Sequence, residues 1–221
     1  MLRHELLNVL QGMESVTRAL QLSGLSGEQE KWLEAMQRSV QQADYLVRAA
    51  APWECSGVEE PRAFNGHALL EQVTLAHAAA AAEKGLAVKL SIASGLPCGW
   101  RGDACLLRQL LDNVVGNAVK YTKRGEVKLS AVPAEGSMVV LTVSDTGPGI
   151  PEAEREVVFE ARQRGSGGRE HPGSGLGLWL SRRIVTRLGG DICCHSAPGG
   201  GAEFRVSLPG LACSGPYRQP W

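Results

Sequence analysis

The chain has 221 residues, with 23 Lys plus Arg against 23 Asp plus Glu and a formal net charge of zero. That balance removes any global electrostatic case for binding nucleic acid or an anionic membrane surface, and no apolar run approaches the roughly 20 residues a bilayer-spanning helix needs. The first residues are no signal peptide, so Cys55, Cys98, Cys105, Cys193, Cys194 and Cys213, in no framework spacing, read as reduced thiols of a cytoplasmic protein. In chain order, Leu2, Leu6, Val9, Met13, Val16 and Leu20 recur at spacings of 4, 3, 4, 3 and 4, the seam of a coiled coil. After the turn-forming Ser23-Gly24-Leu25-Ser26-Gly27, a second seam follows at Leu33, Met36, Val40, Ala43 and Val47. Two such helices joined by so short a break lie antiparallel. A lone hairpin leaves part of its apolar stripe wet, so a homodimer closing a four-helix bundle is expected. This hairpin, residues 1–51, ends at Pro52, and residues 52–63, with Gly57 and Pro61, read as a linker.

Beyond the linker the pattern changes. Residues 65–84 form an Ala-rich helix stopped by Gly85. Leu86, Val88, Leu90 and Ile92 alternate as a strand, and Asp103 is placed to cap a helix running through Tyr121. Strands follow at about 126–132 and 138–144, then a loop-rich stretch, a helix over about 176–188, and strands near 190–196 and 202–208. The expected fold class is α+β, a sandwich of one mixed sheet covered by helices over residues 64–209. Residues 210–221 lack periodicity and read as a loose tail.

Three polar features interrupt this apolar frame. Asn113, Asn117 and Lys120 share one face of their helix, with Tyr121 beside them. The two amide carbonyls are hard oxygen ligands suited to Mg²⁺, and the lysine reaches a phosphate. Asp145 closes the apolar run 138–143 and opens Asp-Thr-Gly-Pro-Gly-Ile. A carboxylate there accepts from an adenine amino group, while Gly147 and Gly149 admit the base; the same spacing also serves as an ordinary turn. Gly173, Gly175, Leu176 and Gly177 lead directly into an amphipathic helix, an arrangement whose backbone N–H groups and helix terminus favour phosphate. Between the two glycine loops, residues 151–172 carry Arg155, Arg162, Arg164 and Arg169, a segment able to order over a polyphosphate as a lid. Cys193-Cys194-His195 fits either a metal or redox site or, by its alternation, a plain strand.

The order of these pieces, LLRQLLDNVVGNAVKYT, DTGPGI, VFEARQR, GSGLGLWLSRRIV and LGGDICCHSAPGGGAEFRVSLP, resembles the ATP-binding domain of sensor histidine kinases, within the Bergerat-fold (GHKL) ATPases. The resemblance implies that Asn113, Asn117, Lys120 and Tyr121 hold Mg²⁺-ATP, with Asn117 the main metal ligand. It implies that Asp145 reads adenine, that Gly147, Gly149, Gly173, Gly175, Leu176 and Gly177 shape the pocket, and that Arg164 closes the segment after Phe159. His4-Glu5-Leu6 is similar to the start of the phosphoacceptor box. The imidazole of His4, at an outer position of the heptad, would take the γ-phosphoryl group with Glu5 as general base, then pass it to an aspartate of a response regulator receiver domain. Glu5-x-x-Asn8 further implies a phosphatase of that regulator. The chain departs from the pattern at Leu7-Asn8-Val9, where an Arg-Thr-Pro is usual, at Arg162, where a second phenylalanine often stands, and at Ala202, which replaces a threonine. Only three residues precede His4, which implies a missing sensor segment or a separate sensor protein. Two other readings remain open: an anti-sigma-type serine kinase of the same fold, and a non-catalytic dimeric scaffold that binds nucleotide.

Overall fold

A computed structural model describes residues 62–161 and 175–211 continuously, with individual positions between Val9 and Ala43. His4, Glu5, Asn8, Arg164 and Gly173, with the expected linker up to residue 61 and the tail from 212, lie outside the described residues.

The globular part is built from strands β1 (Arg62–Asn65), β2 (Ala87–Ile92), β3 (Gly99–Gly102), β4 (Glu126–Ala134), β5 (Met138–Asp145), β6 (Asp191–Ser196) and β7 (Ala202–Leu208), with helices α1 (Gly66–Glu83), α2 (Ala104–Tyr121) and α3 (Gly177–Arg187). Five strands form one mixed sheet in the order β2-β4-β5-β7-β6, of which only the β2–β4 pair is parallel. Side chains alternate across it with period two. Val127, Leu129, Val139, Leu141, Phe204 and Val206 point to the buried face, while Lys128, Thr142 and Arg205 take the other. The buried face is covered by α2, which carries a wide apolar stripe from Leu106 to Val119 and touches both α1 and α3. The expected helix-covered mixed sheet is thus present.

Local chemistry sets the helix ends. Asn65 and Asp103 occupy the N-caps of α1 and α2 in extended conformation, and their side chains accept from Ala68 N at 3.0 Å and Leu106 N at 2.9 Å. At the other end of α2, Lys84 Nζ donates to the carbonyls of Val119 and Lys120 at 2.9 and 2.8 Å, satisfying acceptors that lack an intrahelical partner.

Two features differ from the sequence expectation. β1 begins at Arg62, before the expected domain start at 64, and pairs antiparallel with β3 to make a separate two-stranded ribbon. It closes over Trp100, which is fully buried beneath Gly66 and donates its indole N–H to Pro97 O at 2.8 Å. The expected tail also starts later than Gly210, because Leu211 is buried and its carbonyl accepts from Arg101 N.

The described positions between Val9 and Leu20 are helical, as are those between Gly27 and Ala43. At the start of the second run the Ser26 N–H and Oγ both donate to Gln29 Oε1, at 3.0 and 3.1 Å, so the Gln29 side chain reaches back to close the helix end. Leu10, Thr17, Leu33 and Val40 are buried, but Val9, Met13, Val16 and Leu20, the residues of the expected seam, are 54, 49, 60 and 42% exposed.

Candidate nucleotide site

β5 lies at the centre of the sheet and ends at Asp145, beside the start of β7. The carboxylate is buried, and its Oδ1 accepts from Gly147 N at 2.8 Å and from Ala202 N at 3.2 Å. Oδ2 keeps no hydrogen-bond partner among the described residues. Burial pushes the carboxyl of Asp145 above the usual range, and the two backbone donors pull the other way without cancelling it. The charged acceptor is therefore held at a cost, as is common where a ligand supplies the missing partner.

The β7 end of the loop passes Asp145 at a distance only glycine permits. Gly201 has φ +89°, and a methyl group there would stand 1.9 Å from the main-chain oxygen of Asp145 and 3.0 Å from its Oδ1. Thr146 ties the loop down from the other side: its hydroxyl accepts from Glu126 N and donates to Arg124 O, both at 3.0 Å.

α2 supplies a second wall. Asn113, Asn117 and Lys120 are half-buried on α2, while Asp112 and Gly116 turn to His77 of α1, whose Nε2 lies 3.2 Å from Asp112 Oδ1. The amide Nδ2 of Asn113 is buried without a hydrogen-bond partner, and a side-chain amide shut off in this way ordinarily finds one. Asn117 faces the start of α3, since its Nδ2 stands 3.7 Å from where a Cβ on Gly177 would lie. Lys120 Nζ lies over the Tyr121 ring, 4.9 Å from its centroid.

The third wall is the N-terminus of α3. Gly175, at φ +69°, turns the chain into buried Leu176, which occupies the N-cap with no side-chain hydrogen bond, so the first N–H groups of the helix are not closed by a capping side chain. Aligned peptide dipoles give this end a partial positive charge. Asn113, Asn117, Asp145, Gly147, Gly149, Gly175, Leu176 and Gly177 thus belong to three elements that meet at one end of the sandwich.

The loop after Asp145 is firmer at its base than the sequence suggests. Phe159 is buried, edge-on to Phe204 with ring centroids 6.1 Å apart, and is covered by the Arg182 guanidinium at 4.5 Å. Arg182 also pairs with Glu156 at 2.8 Å. Arg155, expected among the cations of a lid, instead donates to Ser196 Oγ at 2.8 Å and braces the loop against the sheet edge. Cys193 and His195 lie on β6 with Sγ 3.1 Å from Nε2. Among the described residues no three His, Cys, Asp or Glu side chains gather as metal ligands, and β6 is the plain strand its alternation suggests. Burial pushes the thiol of Cys194 up to about 11 and raises that of Cys193.

Sequence reasoning passed over Thr122. It follows α2, is fully buried, and its hydroxyl has no partner. Its one-dimensional signal is only that of a polar residue after a helix.

Comparison with known proteins agrees with this geometry. Residues 102–211 match the family described as histidine kinase-, DNA gyrase B- and HSP90-like ATPase. The chain is 30% identical over 233 residues to the signal transduction histidine-protein kinase BarA of Escherichia coli (strain K12), covering 98% of this chain and 25% of that protein. It is 31% identical over 218 residues to the aerobic respiration control sensor protein ArcB of the same organism, covering 93% of this chain and 27% of the relative. The chain therefore spans about a quarter of the length of these curated relatives. Among solved structures, full-length ShkA in complex with AMPPNP superposes with a TM-score of 0.70 at 32% identity, over 98% of this chain and 46% of that one.

Proposed function

Because this chain belongs to the sensor histidine kinases and carries their ATPase domain, we propose that it is an ATP-dependent protein-histidine kinase. In this reading it phosphorylates its own His4 and passes the phosphoryl group to an aspartate of a response regulator receiver domain. The observation that carries the proposal is the convergence of a buried carboxylate, an amide face and a helix N-terminus at one end of the sheet. These suit the base, the metal and the phosphates of one nucleotide. AMPPNP, an ATP-like ligand by its name, is bound by the related ShkA.

Asp145 Oδ2 accepts from the adenine amino group while Oδ1 stays fixed by Gly147 and Ala202. Gly149 keeps the wall of the base pocket thin. The N-terminal end of α3, with its partial positive charge, takes the phosphate oxygens, and Lys120 adds a point charge beside it, with Tyr121 against it. Asn113 and Asn117 would offer carbonyl oxygens for Mg²⁺, while the buried, unpartnered Nδ2 of Asn113 is a donor suited to a phosphate oxygen. When bound, Mg²⁺ neutralises charge on the transferring phosphoryl group. Arg164 and Gly173 are assigned to closure over the phosphates. The imidazole of His4 is the acceptor, with Glu5 as its base and Asn8 as the residue that orients water for regulator dephosphorylation.

The division into a hairpin at 1–51, a linker, a catalytic domain from Arg62 to Leu211 and a tail beyond it belongs to the same proposal. So does the homodimer. Four apolar side chains at heptad spacing, exposed in the single chain, are covered when a second copy packs on them, at roughly 1.5–3 kcal/mol for each side chain fully buried. No helix among the described residues is long and apolar enough to cross a membrane, in keeping with a cytoplasmic site of action. The reading is tested with γ-labelled ATP and Mg²⁺. Acid-labile label in the wild type that is lost in His4→Gln supports it. Nucleotide binding without incorporation would make the chain a scaffold, and acid-stable label would point to a serine kinase. Unchanged regulator dephosphorylation by Asn8→Ala would remove the phosphatase role.

A further inference from the structure

Lys84 follows α1 at its C-cap, in a turn whose backbone is tightly specified. Leu86 N donates to Ala81 O and Gly85 N to Ala82 O, both at 2.9 Å, with Gly85 at φ +69°. This paired closure is a common way for glycine to end a helix, and buried Ala81 and Leu86 anchor it. From that turn the Lys84 side chain crosses to the end of α2, where Nζ donates to the carbonyls of Val119 at 2.9 Å and Lys120 at 2.8 Å. Carbonyls of a last helical turn lack partners inside the helix and carry its partial negative charge. A cation bonded to two of them satisfies the acceptors and offsets that charge. Lys120 is therefore gripped through its own backbone by the residue that closes α1, while its side chain serves the nucleotide site.

We propose that Lys84 is a positioning residue for phosphate binding: by clamping the last turn of α2 it fixes where the Lys120 ammonium reaches. This role presupposes the assignment of Lys120 to the phosphates. Helix ends fray, and only Tyr121 separates Lys120 from Thr122, whose N–H closes the helix on Ala118 O at 3.1 Å. Without Lys84 the carbonyls of Val119 and Lys120 lose their charged donor, and the turn is free to rock. The long Lys120 side chain then samples positions away from the phosphates. The loss falls on phosphate and not on the base, because Asp145 stands on β5 and is fixed by Gly147 and Ala202, outside α2. Lys84 spends its own donors on protein carbonyls and acts through Lys120.

The test titrates ADP and adenosine into the whole chain as wild type, Lys84→Met, Lys84→Arg, Lys120→Met and the Lys84→Met/Lys120→Met double variant. Methionine keeps most of the apolar stem and removes the donors. Lys84→Met is expected to lose about 3- to 10-fold in ADP affinity and to bind adenosine as the wild type does. Lys84→Arg, which presents several N–H donors to the same two carbonyls, should restore ADP affinity. The double variant should bind ADP no more weakly than Lys120→Met, since nothing is left to position once that ammonium is gone. Wild-type ADP affinity in Lys84→Met would overturn the proposal. So would equal losses of ADP and adenosine, which mark a packing defect, and additive losses in the double variant, which mark Lys84 as an independent charge. If methionine prevents folding, Lys84→Gln carries the same comparison. Lys120→Met separates the two assignments. Wild-type ADP affinity in that variant removes Lys120 from the phosphates, whereas a loss there with none in Lys84→Met removes Lys84 alone.

Discussion

Replacing Asp145 by asparagine changes one oxygen for an amide group and little else. Asparagine can still accept from Gly147 N and Ala202 N through its carbonyl, so the local backbone is kept. The atom lost is Oδ2, and the amide put in its place donates toward the amino group of adenine, itself a donor. A hydrogen bond to a charged group is worth about 1.5–3 kcal/mol, which at about 1.4 kcal/mol per decade gives a loss of roughly 10- to 100-fold in ADP affinity. The unliganded chain should respond in the opposite sense. Burial holds the Asp145 carboxyl above its usual range, so ionising it costs more in the folded chain than in the unfolded one. Well below the ordinary carboxylate value, acid is neutral in both states and wild type and variant should melt alike. As pH rises through the raised folded value the wild type gives up stability, and above it the deficit is constant. Calorimetric titration and thermal melting from pH 3.5 to 7.5 read both effects. Unchanged ADP affinity in Asp145→Asn would refute the reasoning, as would a variant that melts well below the wild type at neutral pH.

Asn117→Ala should reduce the gain in ADP affinity on adding Mg²⁺ while leaving metal-free binding nearly unchanged, as read by titration with and without EDTA. Phe159→Ala removes a buried ring from contact with Phe204 and Arg182 and should destabilise the domain by about 3–5 kcal/mol, measured by urea unfolding. Mass-resolved alkylation at pH 8 should modify exposed Cys98 and Cys105 first and Cys194 last, because burial and a thiol raised to about 11 leave Cys194 little thiolate; rapid labelling of Cys194 would contradict its placement on the covered face of the sheet.

Much of the fold is legible because its signals are local. Asn65 and Asp103 cap their helices within three residues, and the alternation in β4, β5 and β7 repeats over a span that no helix would tolerate. The ribbon of β1 and β3 escaped because each strand has only four residues, and the pairing joins Asn65 to Gly99 without any alternating pattern. Leu211 likewise carries no periodic signal, since its burial comes from the fold closing around it. The candidate site divides in the same way. Asp145 and the glycine loops stand out in sequence because glycine and a strand-terminal acid are unusual there. Thr122 does not, because its burial and its lack of a partner arise only where α2 and the Asp145 loop meet. Arg155 shows the same limit: a cation in a loop signals charge, but its bond to Ser196 comes from the sheet edge beside it.

The central claim is that adenine nucleotide is held where the end of β5, the amide face of α2 and the start of α3 converge. Backbone amide chemical shifts recorded while ADP is added to the isotopically labelled chain address it residue by residue. The account predicts the largest changes at Thr122, Gly147, Gly149, Leu176 and Gly177, with the open sheet face at Lys128 and Thr142 unmoved. Changes concentrated on that open face, with the Gly147 and Gly177 amides still, would contradict it.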